Sequence, residues 1–220
     1  MNNVISGKIP SKDLFMICEN VNKSAFSELP SEYYFRECRR DELKIWKGMH
    51  LDFPHSPEQH KEFMGFMDKY YDETYAPNEE LFFKVNSFVC NSDDIPIGRG
   101  FIWKYFNKIN TIAWYKVLRE YEGKGIGRAI LTKIMKDLRE IDYPVYLHTH
   151  PSSFRAIKLY SDFGFKLLSD PKIGYRKNDL VECLPILEKY IPEKFFKNIE
   201  ITNAPKEFLE IVESGGNVNF

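Results

Sequence analysis

The stretch YEGKGIGRAI (121–130) places three glycines and two cationic side chains, Lys124 and Arg128, within ten positions. It lies between a predicted strand that ends near Leu118 and a predicted helix that begins near Gly125. A helix N-terminus presents unpaired N–H groups and a partial positive charge, which favour a bound phosphate. Glycine also lets the backbone come close to such an anion. The stretch therefore indicates a phosphate-binding loop; the alternative is a glycine-rich turn that only starts the helix.

Two familiar phosphate-binding loops do not match this stretch. A P-loop has the form GxxxxGK[ST], whereas Lys124 is followed by Gly125 and the four-residue gap between glycines is missing. A dinucleotide-binding loop has the form GxGxxG, whereas Gly125 and Gly127 are followed by Ile130 at the third position. The loop therefore predicts neither of these nucleotide-binding classes.

A second stretch, SSFRAIKLYSDFGF (152–165), follows after one predicted helix and one predicted strand. It resembles the NxxAxxLYxxxGF helix of the GCN5-related N-acetyltransferase (GNAT) superfamily, and EGKGIGRAIL (122–131) is similar to that superfamily's [Q/R]xxGxG/A loop. The resemblance implies an N-acetyltransferase that uses acetyl-CoA, with the loop holding the coenzyme pyrophosphate. Two positions depart from the motifs, because Glu122 replaces Gln or Arg and Ser153 replaces Asn.

The resemblance also implies the fold and several site residues. The expected fold is α/β (α+β), a mixed, mostly antiparallel central sheet with splayed fourth and fifth strands and helices on both faces. Pantetheine would bond to the fourth strand, where the Val117 or Leu118 N–H would stabilise the oxyanion. Tyr160 would protonate the coenzyme thiolate with a phenol of pKa about 10, unless it is only a core aromatic. The predicted coenzyme-binding residues are Val117, Leu118, Gly123, Lys124, Gly125, Ile126, Gly127, Arg128 and Ser153.

The general base is sought on the fifth strand, VYLHTH, because the fourth strand, INTIAWYKVL, contains no carboxylate. His148 lies twelve residues before Tyr160, the spacing at which some protein N-terminal acetyltransferases of this family place a catalytic glutamate. An imidazole with an ordinary pKa of about 6.5 could take the proton of the amine, directly or through water. His148 is therefore the predicted base. His150 and Glu120 are weaker candidates, and a hydrogen-bonded structural histidine is the alternative.

The hydrophobic pattern predicts the order of the secondary structure elements. A short helix is expected within residues 11–28, a strand at 33–38, helices at 39–51 and 57–75, and then three strands that include LFFKVNSFVC (81–90). A helix, a strand, the 152–163 helix and a further strand complete the predicted domain. The boundaries are an N-terminal extension at 1–32, the GNAT domain at 33–176 and a helical extension at 177–220 that packs on the domain. In the 57–75 helix a core-facing stripe is expected, formed by Phe63, Phe66, Met67, Tyr70 and Tyr71.

Composition narrows the class of protein. A net charge of −1 at pH 7 over 220 residues gives no cationic field for general nucleic-acid binding. The four cysteines form no CxxC pair, which favours packing residues in a reduced, cytoplasmic protein. The longest apolar run has five residues, so no membrane contact is predicted. No metal is predicted either, because prolines interrupt the spacing of His50, His55 and His60.

The acceptor is predicted only as an amine of a small molecule or peptide. Residues 58–80 carry seven acidic and two basic side chains with Tyr70, Tyr71 and Tyr75 among them. This surface would suit a cationic amine, although a solvated helix face explains it equally well. A protein N-acetyltransferase, a non-catalytic acyl-CoA-binding module and a partner-docking protein, with the C-terminal helices forming a homodimer, stay open as alternatives.

Overall fold

The computed structural model describes residues 9–215 of the chain. Within that range no helix is both long enough and apolar enough to cross a membrane. The strands and helices follow one another in this order: β1 Leu14–Cys18, β2 Tyr34–Glu37, α1 Leu43–Gly48, α2 Pro57–Thr74, α3 Glu79–Val85, β3 Ser87–Cys90, β4 Pro96–Tyr105, β5 Ile109–Val117, α4 Ile126–Lys136, β6 Val145–Thr149, α5 Phe154–Asp162, β7 Lys166–Leu168, β8 Lys172–Ile173, β9 Arg176–Lys177, α6 Leu180–Tyr190, α7 Glu193–Phe196, β10 Ile201–Thr202 and α8 Lys206–Ser214.

The chain forms two compact units, each made of separate chain segments. The first unit holds the residues up to Phe26, Trp103–Ile112 and the residues from Met135 onward. The second unit holds Ser27–Ile102 and Ala113–Ile134. Strands β4 and β5 therefore each contribute residues to both units. The predicted boundaries at residues 32 and 176 stay a prediction.

In the first unit the strands follow the order β10-β7-β1-β6-β5. Strand β1 is antiparallel to β6 and to β7, with Met16 opposite Leu147 on one side and Leu167 on the other. All five side chains of β1 are buried, as a continuous apolar run requires when both faces of a strand are covered. The helix predicted within residues 11–28 is therefore wrong, because its apolar core, Leu14–Cys18, is a central strand.

The fourth and fifth strands of the prediction, which are expected to splay apart, correspond to β5 and β6. Their numbers are higher by one because β1 was not predicted as a strand. These two strands are parallel and pair over only two positions, Asn110 with Val145 and Thr111 with Tyr146. Such a short ladder is what splayed strands require. The remaining pairs, apart from the parallel β10 and β7, are antiparallel where their register is defined, which confirms a mixed, mostly antiparallel sheet.

The C-terminal helix α8 packs on the first unit. The Phe208 ring stacks on Tyr146 with centroids 3.9 Å apart, and Val212 is buried against the same cluster. Burying a side chain of this size contributes about 1.5–3 kcal/mol. The helix is thus fixed by its apolar face.

In the second unit the strands follow the order β5-β4-β3-β2. Helix α4 packs against this sheet through Ile126 and Ile130. A Cβ at Gly98 would lie 3.0 Å from the Ile130 side chain, and one at Gly100 would lie 3.1 Å from it. The two glycines of β4 therefore allow the close approach that fixes α4 and, with it, the loop before it.

The helices of the second unit surround an aromatic core. Trp46 is fully buried, with ring centroids 5.0 Å from Phe82 and 5.6 Å from Tyr75. The stripe predicted on α2 is confirmed for Met67, Tyr70 and Tyr71, which are buried, but is wrong for Phe66, which is 46% exposed. The strand predicted over residues 81–90 is confirmed only for its second part, β3. Its first part belongs to α3, because both Phe82 and Phe83 turn into the core.

The four cysteines, Cys18, Cys38, Cys90 and Cys183, are free thiols and all are buried. This confirms their prediction as packing residues. Burial raises the pKa of the Cys18 thiol to about 12, so this thiol is not prone to become a nucleophile.

Candidate active site

The glycine loop lies in the second unit, between β5 and α4. Gly123 has a φ of +79° and Gly125 a φ of +81°, in the left-handed region that L side chains rarely adopt. Among the described residues, a Cβ at Gly123 would meet no atom within 4 Å, and one at Gly125 would meet only Pro30, at 3.8 Å. The backbone conformation therefore requires these glycines, and the space beside them is open.

The N-terminus of α4 meets the loop. Ile126 is fully buried and anchors the helix, whose first bond runs from the Ala129 N–H to the Gly125 carbonyl at 3.1 Å. The N–H groups of the first turn have no partner within the helix. The Lys124 ammonium lies 4.7 Å from the centroid of the Tyr121 ring, and Arg128 follows on the first turn. Open space beside the loop, the N–H groups of a helix N-terminus and two cations together fit a pyrophosphate.

The end of β5 carries Val117 and Leu118, the predicted pantetheine-binding residues. The Leu118 N–H donates to the Ile97 carbonyl on β4 at 2.8 Å. The next N–H, that of Arg119, donates to Asp52 Oδ2 at 2.5 Å. Because the Leu118 N–H is used within the sheet, Val117 remains as the predicted oxyanion donor.

Strand β5 is strained at Trp114, which has a φ of +49°. A bulky residue rarely adopts this conformation, and such strain persists where the surroundings enforce it. The indole Nε1–H donates to Tyr75 Oη at 3.0 Å, and the ring packs against Tyr70 with centroids 5.3 Å apart. No sequence signal marked this position.

Tyr160 and Ser153 lie in the first unit, on or just before α5. Tyr160 is buried, and its ring centroid lies 5.9 Å from that of Phe165. The Ser153 N–H donates to the His150 carbonyl at 2.9 Å, whereas its hydroxyl makes no capping hydrogen bond to α5. Gly164 ends the motif with a φ of +93°, and a Cβ there would lie 2.8 Å from the Asn20 carbonyl oxygen.

His148 lies on β6 in the first unit, between two charged side chains. Its Nε2 is 2.7 Å from Asp13 Oδ1. Arg176 Nη1 is 3.0 Å from Nδ1 and 3.2 Å from Nε2. Asp13 precedes β1 and Arg176 begins the two-residue strand β9, so no local pattern linked either residue to His148.

The titration of His148 follows from this environment. Burial lowers the pKa of His148 to about 4, and the nearby positive charge of Arg176 acts in the same direction. The hydrogen bond from His148 lowers the pKa of Asp13. Both directions agree with a neutral imidazole that donates its Nε2–H to a charged carboxylate. The lone pair then lies on Nδ1, the nitrogen nearer to Arg176.

Acid is therefore expected to destabilise the fold through His148. With an ordinary pKa of 6.5 and a folded pKa of about 4, the unfolded chain binds the extra proton, so stability is complete above pH 6.5 and falls as pH drops toward 4. At about 1.36 kcal/mol per pKa unit the loss approaches about 3 kcal/mol. Urea unfolding at pH 7 and pH 4.5 measures it. The variant His148→Gln should lose clearly less stability over this range; an equal loss in both proteins contradicts the assignment.

His150 is more exposed, and its Nδ1–H donates to the Lys12 carbonyl at 2.9 Å. The ligand atoms of Asp13, His148 and His150 all lie within 4.8 Å of one another, a grouping that could hold a metal ion. The guanidinium of Arg176 beside His148 opposes a second cation there. The expectation of no metal stays a prediction.

The remaining histidines do not form one cluster. The rings of His55 and His60 stack with centroids 5.3 Å apart. His50 instead accepts at Nδ1 from the guanidinium of Arg99, at 2.9 Å.

Four of the seven acidic side chains at residues 58–80 are paired with basic side chains within the second unit. Lys47 pairs with Asp68 at 2.8 Å, Arg40 pairs with Glu79 and Glu80, and Lys69 lies 3.8 Å from Glu73. The tyrosines predicted to interleave with these acids, Tyr70, Tyr71 and Tyr75, are buried. These contacts favour a solvated helix face over a binding surface for a cationic amine.

Residues 28–165 match the model of the acetyltransferase (GNAT) family. The matched region is more than half of the chain and contains both motifs quoted above. The chain belongs to the GNAT family of acetyltransferases.

Several solved structures are similar at low identity. A putative GNAT-family acetyltransferase from Novosphingobium aromaticivorans is 15% identical with a TM-score of 0.44; the match covers 72% of this chain and 60% of that chain. A GNAT-family acetyltransferase from Colwellia psychrerythraea is 12% identical with a TM-score of 0.49, covering 72% and 53%. This chain therefore covers less than two thirds of the length of each of these two neighbours.

Proposed function

We propose that this protein transfers the acetyl group of acetyl-CoA to a primary amine of a small molecule or peptide, by direct attack in a ternary complex. The observation that carries this proposal is the open loop with positive φ at Gly123 and Gly125 before the N-terminus of α4. Acetyl-CoA supplies an activated acetyl thioester. Family membership supports the same activity.

The residues of the second unit would hold the coenzyme. The backbone N–H groups around Gly125, with Lys124 and Arg128, would neutralise the pyrophosphate. The Val117 N–H would bond to the acetyl oxygen, where negative charge develops during attack. Ser153, in the first unit, would donate its hydroxyl to a pantetheine amide.

Two residues of the first unit would handle protons. The Tyr160 hydroxyl would give its proton to the departing sulfur. His148 would accept the amine proton at Nδ1, since the hydrogen bond from Nε2–H to Asp13 fixes the tautomer. Arg176, 3.0 Å from Nδ1, would have to turn away during that step. Because the Arg176 guanidinium lies at the nitrogen that would accept the amine proton, its contact with Nδ1 also supports a second candidate function. This second candidate is a non-catalytic acyl-CoA-binding module.

Replacing His148 with alanine is expected to lower kcat about 100-fold while the affinity for acetyl-CoA stays unchanged, because a general base contributes roughly 10²–10⁴ in rate. His150→Ala is the matched control on the same strand and should keep most of the turnover. Steady-state thiol release across pH 6–9 measures both. Unchanged turnover of His148→Ala over this range rules out His148 as the base.

The proposed function is tested by thiol release from acetyl-CoA across a panel of amines, with titrated coenzyme binding as the internal control. Amine-dependent release is the expected result and identifies the acceptor class. Coenzyme binding without release from small amines or peptides would favour the binding module. No coenzyme binding would contradict the proposal.

A further inference from the structure

A short segment that ends at the start of α6, residues 176–179, reaches both ring nitrogens of His148 within the first unit. At its beginning, Arg176 Nη1 lies 3.0 Å from Nδ1. At its end, Asp179 contacts Asp13, the residue whose carboxylate receives the Nε2–H. The 176–179 segment therefore borders the imidazole directly on one side and through Asp13 on the other.

Two hydrogen bonds with Asp179 fix the backbone of Asp13. The Asp13 N–H donates to Asp179 Oδ2 at 3.1 Å, and the Asp179 N–H donates to the Asp13 carbonyl at 2.9 Å. Asp13 is followed directly by β1, whose first residue, Leu14, lies opposite Thr149 on β6. The carboxylate that meets His148 is thus carried on a backbone that is held both by Asp179 and by the sheet.

The Asp179 side chain is turned away from the helix that it precedes. Asp179 is the N-cap residue of α6, a position where aspartate commonly accepts an N–H of the first helical turn. In the described structure its side chain makes no such capping bond. Oδ2 accepts the Asp13 N–H instead, and Oδ1 lies 2.6 Å from the Lys177 ammonium. The bonds with Lys177 and with the Asp13 N–H lower the pKa of Asp179, so its carboxylate is charged at neutral pH.

Asn178 anchors the 176–179 segment to the first unit. Its side chain is buried, and its amide donates to the Leu168 carbonyl at 2.7 Å and to the Asp170 carbonyl at 2.9 Å. Moving the segment would leave these polar groups without their hydrogen bonds, which is unfavourable in a buried position. The anchored segment therefore keeps both Arg176 and Asp179 in place.

An imidazole acts as a base only at the nitrogen that carries its lone pair, so its tautomer decides where it can take a proton. A charged Asp13 keeps the proton on Nε2 and stabilises the imidazolium that forms when Nδ1 accepts a second one. We propose that Asp179 is a positioning residue for this base, because it holds the Asp13 carboxylate at Nε2 of His148. The proposal rests on the proposed function, in which Nδ1 accepts the amine proton.

The variant Asp179→Ala tests this role because it removes the oxygen that accepts the Asp13 N–H. We expect kcat for amine-dependent thiol release to fall about tenfold, since a small misplacement of a catalytic group is costly. The KM of the amine and the dissociation constant of acetyl-CoA should change little. Asp179→Ser should lose as much activity, because serine caps a helix well but its side chain is one bond shorter.

Two further variants are the controls. Asp179→Asn should keep kcat within about threefold of the wild type, because its amide oxygen can still accept the Asp13 N–H. Glu182→Gln is the matched control on α6, since it breaks the exposed ion pairs with Lys12 and Lys177 and should leave kcat unchanged. A loss in Glu182→Gln equal to that in Asp179→Ala would mean a general effect of α6 and would overturn the inference.

A double-mutant cycle and NMR separate positioning from a structural effect. In the His148→Ala background, Asp179→Ala should lower the residual kcat no further, because both residues act on one step. The Nε2–H proton resonance of His148 should move upfield in Asp179→Ala and stay in place in Glu182→Gln, since the bond to Asp13 weakens only in the first. Equal fractional losses in both backgrounds, or an unmoved resonance, overturn the inference.

The remaining outcomes distinguish this inference from the proposed function. An unchanged kcat in both Asp179→Ala and Asp179→Ser overturns the positioning role while acetyl transfer stands. An unchanged kcat in His148→Ala removes the base on which the inference rests. Wild-type protein that releases no thiol with any amine overturns the proposed function itself.

Discussion

Replacing Gly125 with alanine is expected to weaken the binding of coenzyme A about 5- to 30-fold. Gly125 has a φ of +81°, and holding an L residue in this region costs roughly 1–2 kcal/mol. The substituted loop would relax when empty, so binding would have to restore the strained conformation. The added methyl group would also occupy the open side of the loop. Isothermal titration with coenzyme A measures the change.

Gly65→Ala is the matched control for this substitution. Gly65 lies in α2 of the same unit, and a Cβ there would meet no atom of residues 9–215 within 4 Å. Alanine should leave coenzyme affinity unchanged and stabilise the helix by about 1 kcal/mol. If Gly125→Ala binds coenzyme A as tightly as the wild type, the loop conformation is not part of the binding site.

Replacing Tyr160 with phenylalanine is expected to lower kcat about 100-fold without changing the affinity for acetyl-CoA. Loss of a general acid costs roughly 10²–10⁴ in rate, whereas phenylalanine preserves the packing of the buried ring. The substitution therefore separates the two interpretations of Tyr160, because a purely core aromatic would keep its turnover. Single-turnover rates of thiol release measure the chemical step directly.

Tyr143→Phe controls for the loss of a tyrosine hydroxyl in the same unit. The Tyr143 hydroxyl is buried and has no hydrogen-bond partner among the described residues, so its removal should change neither turnover nor fold. Normal turnover of Tyr160→Phe would exclude Tyr160 as the acid. Equal losses in both variants would point to a general effect on folding.

The loop and the helix that follows it could be predicted because their signals are local. Three glycines, two cations and the apolar side of α4 lie within one short segment, and the structure adds the positive φ at Gly123 and Gly125. Strands β4 and β5 were also predictable, since each is long, rich in β-branched or aromatic residues and bounded by turn residues.

Strand β1 could not be predicted because LFMIC is a short apolar run without periodicity. Such a run suits a buried strand or a helix equally well, and only its neighbours, β6 and β7, decide between them. Helix α3 was missed for a similar reason. Phe82 and Phe83 are consecutive and both turn into the core, which hides any helical period.

The environment of the candidate site depends on tertiary contacts. His148 was found from its spacing to Tyr160, but its partners Asp13 and Arg176 are 135 and 28 residues away in sequence. Asp179 is 166 residues from Asp13, whose N–H it accepts. No sequence pattern connects such pairs, so the charges that set the pKa of His148 and the carboxylate that holds Asp13 emerge only from the fold.

The central claim, that the loop at residues 121–130 holds the pyrophosphate of the coenzyme, is tested most directly by comparing two ligands on the wild-type protein. Coenzyme A and pantetheine share the thiol arm, but pantetheine lacks the pyrophosphate. Calorimetric titration should show binding of coenzyme A and an affinity at least about tenfold lower for pantetheine, because each lost charge-assisted contact is worth roughly 1.5–3 kcal/mol. Equal affinities, or no binding of coenzyme A at all, would contradict the account.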